Sequence, residues 1–211
     1  FKVILLSLIF LAIGVFAFSM PASAVPQTFV VNSLGDDADA NTADGICETA
    51  TSGECTLVAA IEQANNNGNP SEQDSITFNI LPKDGTPKTI LSTNSEYAIT
   101  QNVKIDGYTQ QDGASKNTQP APGPMDSVLR IVLDVNDTDG GSGMTIQADG
   151  VEITGLVINN TSSGQDALST QTGSNIKIQG NYFNTTADGM SIVHQGGYGV
   201  GVNTDNTLIG G

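Results

Sequence analysis

A short pattern, Ile-x-Gly, recurs along the chain and constrains its fold more than any other feature. It begins at Ile105, Ile153, Ile178 and Ile209, so that successive copies lie 48, 25 and 31 residues apart. Similarity at such intervals is typical of stacked repeats, in which each copy is too small to bury an apolar face alone. The intervals predict coils of roughly 22 to 31 residues, with one degenerate copy inside the longest interval.

The two best-matched copies agree over about ten residues. Three pairs correspond at an offset of 25 residues: Ile153 with Ile178, Gly155 with Gly180, and Asn159 with Asn184. We expect the Ile side chains to lie one above the other in the core. The glycines are expected at tight corners, where φ is positive or the next coil comes close. The Asn side chains are predicted to stack as an amide ladder at a turn.

Short runs with alternating apolar residues make up most of the chain after residue 73. The predicted strands are 27–32, 75–80, 88–91, 102–106, 128–135, 144–147, 151–159, 175–179 and 199–203. From residue 74 on, no helix-length segment separates the predicted strands, which excludes βαβ folds, and the scarcity of two-residue hairpin signals disfavours an antiparallel sandwich. We therefore predict an all-β fold, a right-handed parallel β-helix (solenoid) with an N-terminal cap containing one short α-helix.

The helix of that cap is predicted at 56–65. Thr56 is a suitable N-cap residue, and the Asn-rich run that ends in Pro70 stops the helix. One face carries the apolar residues Leu57, Ala60, Ile61 and Ala64. A single helix with one apolar stripe, placed before a run of strands, is expected to cover their open end.

The first 24 residues are typical of a secretory signal peptide. Lys2 precedes an uncharged apolar run from Val3 to Phe18, and a small-x-small cleavage pattern ends at Ala24. The apolar run is short for a membrane span and Pro21 follows it, so we predict cleavage and no membrane insertion of the mature chain. The predicted organisation is a signal peptide at 1–24, a cap at 25–73 and β-helix coils at 74–211, the last expected to be truncated at the C-terminus.

The net charge limits the classes of binding partner that the chain can have, and the cysteines indicate its redox compartment. Seven Lys and Arg against 22 Asp and Glu give a net charge of −15, which argues against binding to nucleic acid or to an anionic membrane.

Exported chains oxidise closely spaced cysteines, so we predict a disulfide between Cys47 and Cys55. The alternatives are two free thiols or half of a metal site, although one His in the chain leaves a zinc site short of ligands.

An acidic loop before the helix carries oxygen ligands at alternate positions. Asp37, Asp39, Asn41 and Glu48 imitate the spacing of a Ca²⁺ loop, because Glu48 follows Asp37 by eleven residues. Thr42 stands where an EF-hand loop requires Gly, and no flanking helices are predicted. Two interpretations stay open, a Ca²⁺ site and a solvated acidic turn, and the missing Gly favours the turn. No other cofactor is predicted.

No catalytic constellation is visible. Enzymes on parallel β-helices need closely placed carboxylates, or a Ca²⁺ ion with a base, on one strand face. Here the aspartates of the coils are spread out beside Gly or Asn, where a turn is the simpler explanation: Asp106, Asp134, Asp149, Asp166, Asp188 and Asp205. His194 lacks a nucleophile or second ligand nearby, and Arg130 and Lys177 are interpreted as isolated residues of a solvated outer face.

The segment 108–124 interrupts the repeats. It contains three Pro and no apolar period, so we expect a loop that projects from the coils. Such loops on rigid scaffolds carry function or are plain insertions.

The stretch Cys55-Thr-Leu-Val-Ala-Ala-Ile61, preceded by an Asp-rich loop with Cys47, resembles the N-terminal CSLREA element of exported bacterial surface proteins. The segments 105–110 and 113–118 and the later Ile-x-Gly coils resemble the β-helix that follows it there. One departure is Val58-Ala59, where the family has Arg-Glu, so a salt bridge made by that pair is absent. The resemblance covers essentially the whole mature chain and implies an exported β-helix without implying one activity.

These observations predict a secreted or cell-surface module with an adhesin-like binding or structural role. Its expected partners are extracellular glycans or surface proteins. The alternative is a carbohydrate-active enzyme, a polysaccharide lyase or glycoside hydrolase of β-helix type. Clustered carboxylates with a Lys or Arg on one face would favour the enzyme, and scattered carboxylates would favour binding.

Overall fold

The structure, a computed structural model, describes residues 25–68, 71–93, 97–120, 123–136, 143–193 and 197–210. The predicted signal peptide at 1–24 and His194 lie outside these ranges. Within them, no helix is long and apolar enough to cross a membrane.

One α-helix and fourteen strands are assigned across the described ranges. The helix α1 is Leu57–Asn66. The strands are β1 Thr28–Val31, β2 Asp74–Phe78, β3 Lys88–Leu91, β4 Tyr97–Ile99, β5 Val103–Asp106, β6 Ile131–Asp134, β7 Met144–Ile146, β8 Glu152–Thr154, β9 Leu156–Asn159, β10 Asp166–Thr170, β11 Lys177–Gln179, β12 Tyr182–Phe183, β13 Tyr198–Val202 and β14 Leu208–Ile209.

The named strands form three sheets, and every pairing between them is parallel. Sheet A has the order β1-β2-β5-β8-β11-β14, sheet B has β3-β6-β9-β12, and sheet C has β4-β7-β10-β13. From β2 onward the chain visits sheets A, B and C in turn, and each strand pairs with the strand three positions later. The prediction of a strand-rich fold with parallel pairing is confirmed.

The repeated Ile residues stack in sheet A, as predicted. The parallel register places one residue per strand in a single column: Phe29, Ile76, Ile105, Ile153, Ile178 and Ile209. The first five are buried, whereas Ile209 is 46% exposed. The column runs through a core that the inner faces of all three sheets share.

The degenerate copy expected within the 48-residue interval does not exist. Strand β5 pairs directly with β8, and Ile105 lies opposite Ile153 without a coil between them. The interval is long because segment 107–130 leaves the coil between β5 and β6. The entropic cost of closing a loop rises slowly with its length, so a long insertion can leave the pairing on both sides intact.

The corner glycines explain a second difference from the expected strands. The predicted strand 151–159 is two strands, β8 in sheet A and β9 in sheet B, with Gly155 between them at φ +73°. Gly180 separates β11 from β12 in the same way at φ +63°. Because side chains disfavour this backbone region, these glycines turn the chain from one sheet to the next. The predicted corners are confirmed.

The predicted amide ladder is wrong. Asn159 and Asn184 are both buried near one corner, but their amides bond to other groups. The amide nitrogen of Asn159 donates to the carbonyl oxygen of Thr185 at 3.1 Å, and the Oδ1 atom of Asn184 accepts from the Thr161 hydroxyl at 2.8 Å. Buried amides take whichever backbone or hydroxyl partners the corner offers.

The predicted helix and its N-terminal capping by Thr56 are confirmed. The Thr56 hydroxyl oxygen accepts from the Ala59 amide at 3.0 Å, and the hydroxyl donates to the Asp37 carbonyl oxygen at 2.6 Å. The four residues of the predicted apolar face are buried, and α1 packs against β1, β2 and β4. The disulfide between Cys47 and Cys55 is present. Residues of β1, of α1 and of the later strands of sheet A lie in the same hydrophobic core.

We predict that Ile153→Ala lowers the free energy of unfolding by about 2–5 kcal/mol, because it removes a buried side chain from the middle of the column. Urea denaturation of the mature chain measures this loss. The control, Ile192→Ala, changes a 65% exposed side chain and should cost less than about 0.5 kcal/mol. Equal small losses for the two variants would contradict the stacked core.

Candidate functional site

The segment between β5 and β6, described over residues 107–120 and 123–130 and called the excursion, has two limbs that pair with each other. It begins with a 3₁₀ turn at Gly107–Thr109, where an Asp106 carboxylate oxygen accepts from the Tyr108 amide at 3.1 Å. Farther out, the amide of Ser115 donates to the Val128 carbonyl oxygen at 3.0 Å, and the Val128 amide donates back at 2.9 Å. The expected projecting loop is therefore a structured one, in which an outgoing and a returning limb pair.

The outer part of the excursion is organised by one carboxylate. Asp126 accepts from the amide and the hydroxyl of Thr118, both at 2.6 Å, and from the side-chain amide of Gln119 at 3.1 Å. These hydrogen bonds, those from Thr118 first, lower the pKa of Asp126 to about 2. The Asp126 amide in turn donates to the side-chain oxygen of Asn117 at 3.0 Å, which holds Asn117 in place.

The base of the excursion packs on the outer face of sheet B. Leu129, Val132 and Val157 form a small second core there, with Tyr108 and Tyr182 against it. The Tyr182 hydroxyl lies 2.7 Å from that of Ser127, within hydrogen-bonding distance. The excursion is therefore fixed to the coils by apolar contacts as well as by its own hydrogen bonds.

A buried ion pair anchors the outgoing limb. The Lys88 ammonium lies 3.4 Å from Asp112 and 2.5 Å from Asp84, and the side chains of Lys88 and Asp112 are almost fully buried. The hydrogen bond to Asp84 raises the pKa of Lys88. Arg130 donates from Nε to the Asp112 carbonyl oxygen at 2.8 Å. The interpretation of Arg130 as an isolated outer-face residue is wrong, because it joins the two limbs.

The repeated glycines make room for an aromatic ring. Tyr108 lies across the corner where Gly155 and Gly180 follow β8 and β11. A Cβ atom on Gly155 would lie 2.7 Å from a ring carbon of Tyr108, and one on Gly180 would lie 2.5 Å from its hydroxyl oxygen. That hydroxyl donates to the Gly180 carbonyl oxygen at 2.8 Å, and burial raises the pKa of Tyr108 to about 12.

Charged side chains form a ladder on the outer face of sheet A beside this ring. Lys104, Glu152 and Lys177 occupy successive rungs of β5, β8 and β11. The Lys104 ammonium lies 3.2 Å from Glu152 and 3.5 Å from Asp106, and the other Glu152 oxygen lies 3.9 Å from the Lys177 ammonium. Burial opposes the charge on Lys104, but the two carboxylates outweigh it and raise its pKa.

This ladder corrects two expectations. Lys177 is not isolated, and Asp106 combines the expected turn role with an ion pair to Lys104. A signal was present in the sequence, because each ladder residue directly precedes an Ile of the repeat. Residues before a buried strand residue point outward, so the register of the Ile column also aligns these charges.

A cavity of about 220 Å³ lies between the excursion and sheet A. Its lining side chains are Tyr108, Lys116, Asn117, Glu152, Thr154 and Gln179. The Lys116 ammonium lies 5.6 Å from the centre of the Tyr108 ring, within the range of a cation–π contact. The Thr154 hydroxyl oxygen is buried and has no hydrogen-bond partner within the described part of the chain. Buried polar atoms are usually paired, so this hydroxyl is available to a ligand.

The acidic loop of the cap closes around a side-chain amide. The Gln63 Nε2 atom donates to an Asp39 carboxylate oxygen at 3.1 Å, to the Asn41 carbonyl oxygen at 3.0 Å and to Asp44 at 3.4 Å. Glu48 accepts instead from the Gly53 amide at 2.9 Å. In the ranges that the structure covers, no group of three or more His, Cys, Asp or Glu is arranged to hold a metal ion.

Of the four residues considered as Ca²⁺ ligands, Asp39 and Asn41 meet at Gln63, and the Glu48 carboxylate faces a different turn. Asp37 contributes its carbonyl oxygen to the Thr56 hydroxyl. Ca²⁺ binding by Asp37, Asp39, Asn41 and Glu48 stays one of two open interpretations. The hydrogen bonds from Gln63 and Gly53 favour the other, a solvated acidic turn.

Comparison with protein-family models, with curated proteins and with solved structures finds no match for this chain. The resemblance to CSLREA-type surface proteins therefore stays a prediction. Function is inferred below from the contacts of the excursion and sheet A.

For the acidic loop, we expect millimolar Ca²⁺ to leave the melting temperature of the mature chain unchanged relative to chelator, because Gln63 already donates to its carboxylates. Differential scanning calorimetry in the two buffers makes the comparison. A ligand that binds only the folded state raises the melting temperature, so a clear rise with Ca²⁺ would restore the Ca²⁺ interpretation.

For the corner, we predict that Gly180→Ala lowers the free energy of unfolding by about 1–3 kcal/mol more than Gly164→Ala does. Both glycines have positive φ, but a Cβ on Gly164 meets nothing within 4 Å. The control therefore isolates the contact with Tyr108. In a Tyr108→Phe background, which lacks the clashing hydroxyl, the excess should shrink. If Gly180→Ala costs no more than Gly164→Ala, or if its additional cost is the same in the Tyr108→Phe background, then Gly180 is not needed to make room for the Tyr108 ring.

Proposed function

We propose that the chain is an exported, extracellular module of the right-handed parallel β-helix type, with an adhesin-like role in which it binds glycans between the excursion and sheet A. Three observations support the architecture: the chain visits three parallel sheets in turn, the inner faces of these sheets share one main core, and the helix packs against strands at one end. The disulfide is consistent with an oxidising compartment. The resemblance to exported surface proteins supports the same assignment.

The cavity lining is the observation that carries the binding proposal. A sugar ring presents an apolar face of C–H groups and a rim of hydroxyl groups. Tyr108 supplies an aromatic surface, Asn117 and Gln179 supply amides that both donate and accept, and Thr154 supplies a buried hydroxyl without a partner. A few convergent polar groups in a concave site are typical of small-ligand recognition.

These groups are held in place before a ligand arrives. Thr154 and Gln179 lie on adjacent strands of sheet A, which β8 and β11 join in register. Tyr108 is fixed by its bond to Gly180, and Asn117 by its bond from Asp126. Preorganised groups lose little conformational entropy on binding, which favours affinity from a small site.

One observation favours the enzyme as a second candidate. Asp106 and Glu152 both lie within 3.5 Å of Lys104, so carboxylates and a lysine do cluster on one face. Glu152 lines the cavity and Asp106 does not. A glycoside hydrolase needs two carboxyl groups that flank the bond to be cleaved. The cavity is lined by one carboxylate, Glu152, and this arrangement supports glycan binding better than glycan hydrolysis.

We predict that a glycan array identifies sugars that bind the mature chain. Gln179→Ala and Asn117→Ala should each weaken that binding about 5- to 10-fold, because each removes a hydrogen-bonding amide worth about 1 kcal/mol. Isothermal titration calorimetry measures the affinities.

The matched control is Gln171→Ala, which removes an exposed amide bonded to Gln147 on sheet C, away from the cavity. It should leave glycan affinity unchanged. Absence of glycan binding, or an equal loss in the control, would refute the proposal. Release of shortened oligosaccharides during the assay would favour the enzyme.

A further inference from the structure

The basic residues of this acidic chain collect around the excursion. The chain has seven Lys and Arg and a net charge of −15, and Lys2 is the one basic residue outside the described ranges. Three of the others hold the side of the excursion near sheet B: Lys83, Lys88 and Arg130. The remaining three lie at or beside the cavity: Lys116 lines it, and Lys104 and Lys177 lie within 3.9 Å of Glu152, which also lines it.

Of the three lysines at the cavity, Lys104 has a sufficient structural role. Its ammonium lies between Asp106 and Glu152, and its side chain is 29% exposed. Opposite charges on neighbouring strands stabilise a sheet, so the stacking of β5 on β8 accounts for this residue.

Lys177 and Lys116 lack an equivalent role. The Lys177 ammonium is 3.9 Å from Glu152, beyond hydrogen-bonding distance, and its side chain is 55% exposed. Lys116 is exposed, and no carboxylate lies within 4.0 Å of its ammonium among the ion pairs of the described residues. The Lys116 ammonium lies over the face of the Tyr108 ring. Two ammonium groups with free donors therefore lie at or beside the cavity: Lys116 of the excursion lines it, and Lys177 of sheet A lies next to the lining residue Glu152.

The neighbouring acids offset the charges of these lysines, but within the described residues they accept no hydrogen bond from Lys116 or Lys177. Glu152 is shared between Lys104 and Lys177, and Asp106 pairs with Lys104. On the excursion, the Asp126 carboxylate accepts from the neutral groups of Thr118 and Gln119, which leave its negative charge in place. Three lysines and three carboxylates therefore lie at or beside the cavity, so this region is close to neutral in a chain whose net charge is −15. At physiological salt, charges beyond about 8 Å are largely screened, so the acidic remainder of the chain weakly opposes an anion here.

We propose that the glycan bound in this cavity is acidic, with a uronate residue whose carboxylate is bound by Lys116 and Lys177. This inference rests on the proposed glycan-binding function and names its ligand class. One uronate residue presents a ring face to Tyr108, hydroxyl groups to Thr154, Asn117 and Gln179, and a carboxylate to the two lysines. The cavity is smaller than the roughly 300–1,000 Å³ of sites for drug-sized ligands, which suits one sugar residue with its neighbours outside.

The test compares ligands that differ in the carboxylate alone. Tetramers of galacturonate and of mannuronate are titrated into the mature chain by calorimetry, beside the same tetramers with carboxylates reduced to hydroxymethyl groups. At least one uronate tetramer should bind about 10-fold or more tightly than its reduced counterpart. Lys116→Gln and Lys177→Gln should each reduce this preference about 5- to 10-fold, and the double variant should remove it.

Two controls separate charge at the cavity from charge elsewhere. Lys177→Arg keeps the charge and should keep the preference. Lys83→Gln removes an exposed lysine bonded to Gln111 on the other side of the excursion and should have no effect. Because Lys116 and Lys177 are exposed, melting temperatures should stay within a few degrees of the parent chain.

The outcomes distinguish this inference from the function on which it rests. If the reduced and uronate tetramers bind equally and Gln179→Ala still weakens their binding, the proposal of an acidic ligand is overturned and glycan binding is retained. A uronate preference that survives the double lysine variant would overturn the assignment of the two lysines. No binding of any glycan would overturn both proposals.

Discussion

The parallel register of sheet A is the constraint on which the rest of the molecule depends. It places Ile105, Ile153 and Ile178 one above another in the core. Side chains alternate between the two faces of a strand, so a slip of one residue would turn the buried column to solvent. The same register therefore decides what faces outward, and it aligns the charged residue that precedes each Ile. The ladder formed by Lys104, Glu152 and Lys177 follows from the way in which the core packs.

The glycine of the repeat has two physical roles at the corner. Gly155 and Gly180 turn the chain from sheet A to sheet B at positive φ, and their missing side chains leave space for the Tyr108 ring. A ring seated on backbone is rigid, and it forms one wall of the cavity without help from a ligand. The feature that allows the coil to turn thus also provides the aromatic surface of the candidate site.

The excursion adds a structured loop to the fold without disturbing the strand pairing next to it. It leaves after β5 and returns at β6, and the pairing of β5 with β8 passes beneath it unchanged. Its anchors are varied: a buried ion pair, a small apolar cluster and an antiparallel bridge. Because it lies across the corner between sheets A and B, it converts an open strand face into a cavity with charges of both signs. Binding between a rigid sheet and a fixed loop is the function that these contacts support best.

Local pattern in the sequence was sufficient to predict the strand-rich fold, the Ile column, the corner glycines, the Thr56 cap and the disulfide. Each of these depends on residues that are close in the chain or repeat at readable intervals. The signal peptide and the Ca²⁺ loop stay predictions from the same kind of pattern. Four strands were missed: β4, β12 and β14 have two or three residues each, and β10 carries buried polar residues such as Thr170. Tertiary structure decided that Ile105 pairs directly with Ile153 and that Lys177 meets Glu152. It also decided that Tyr108 lies on Gly180, 72 residues away. These contacts depend on which distant strands pair, and pairing is set by the shared core, which no local window of sequence contains.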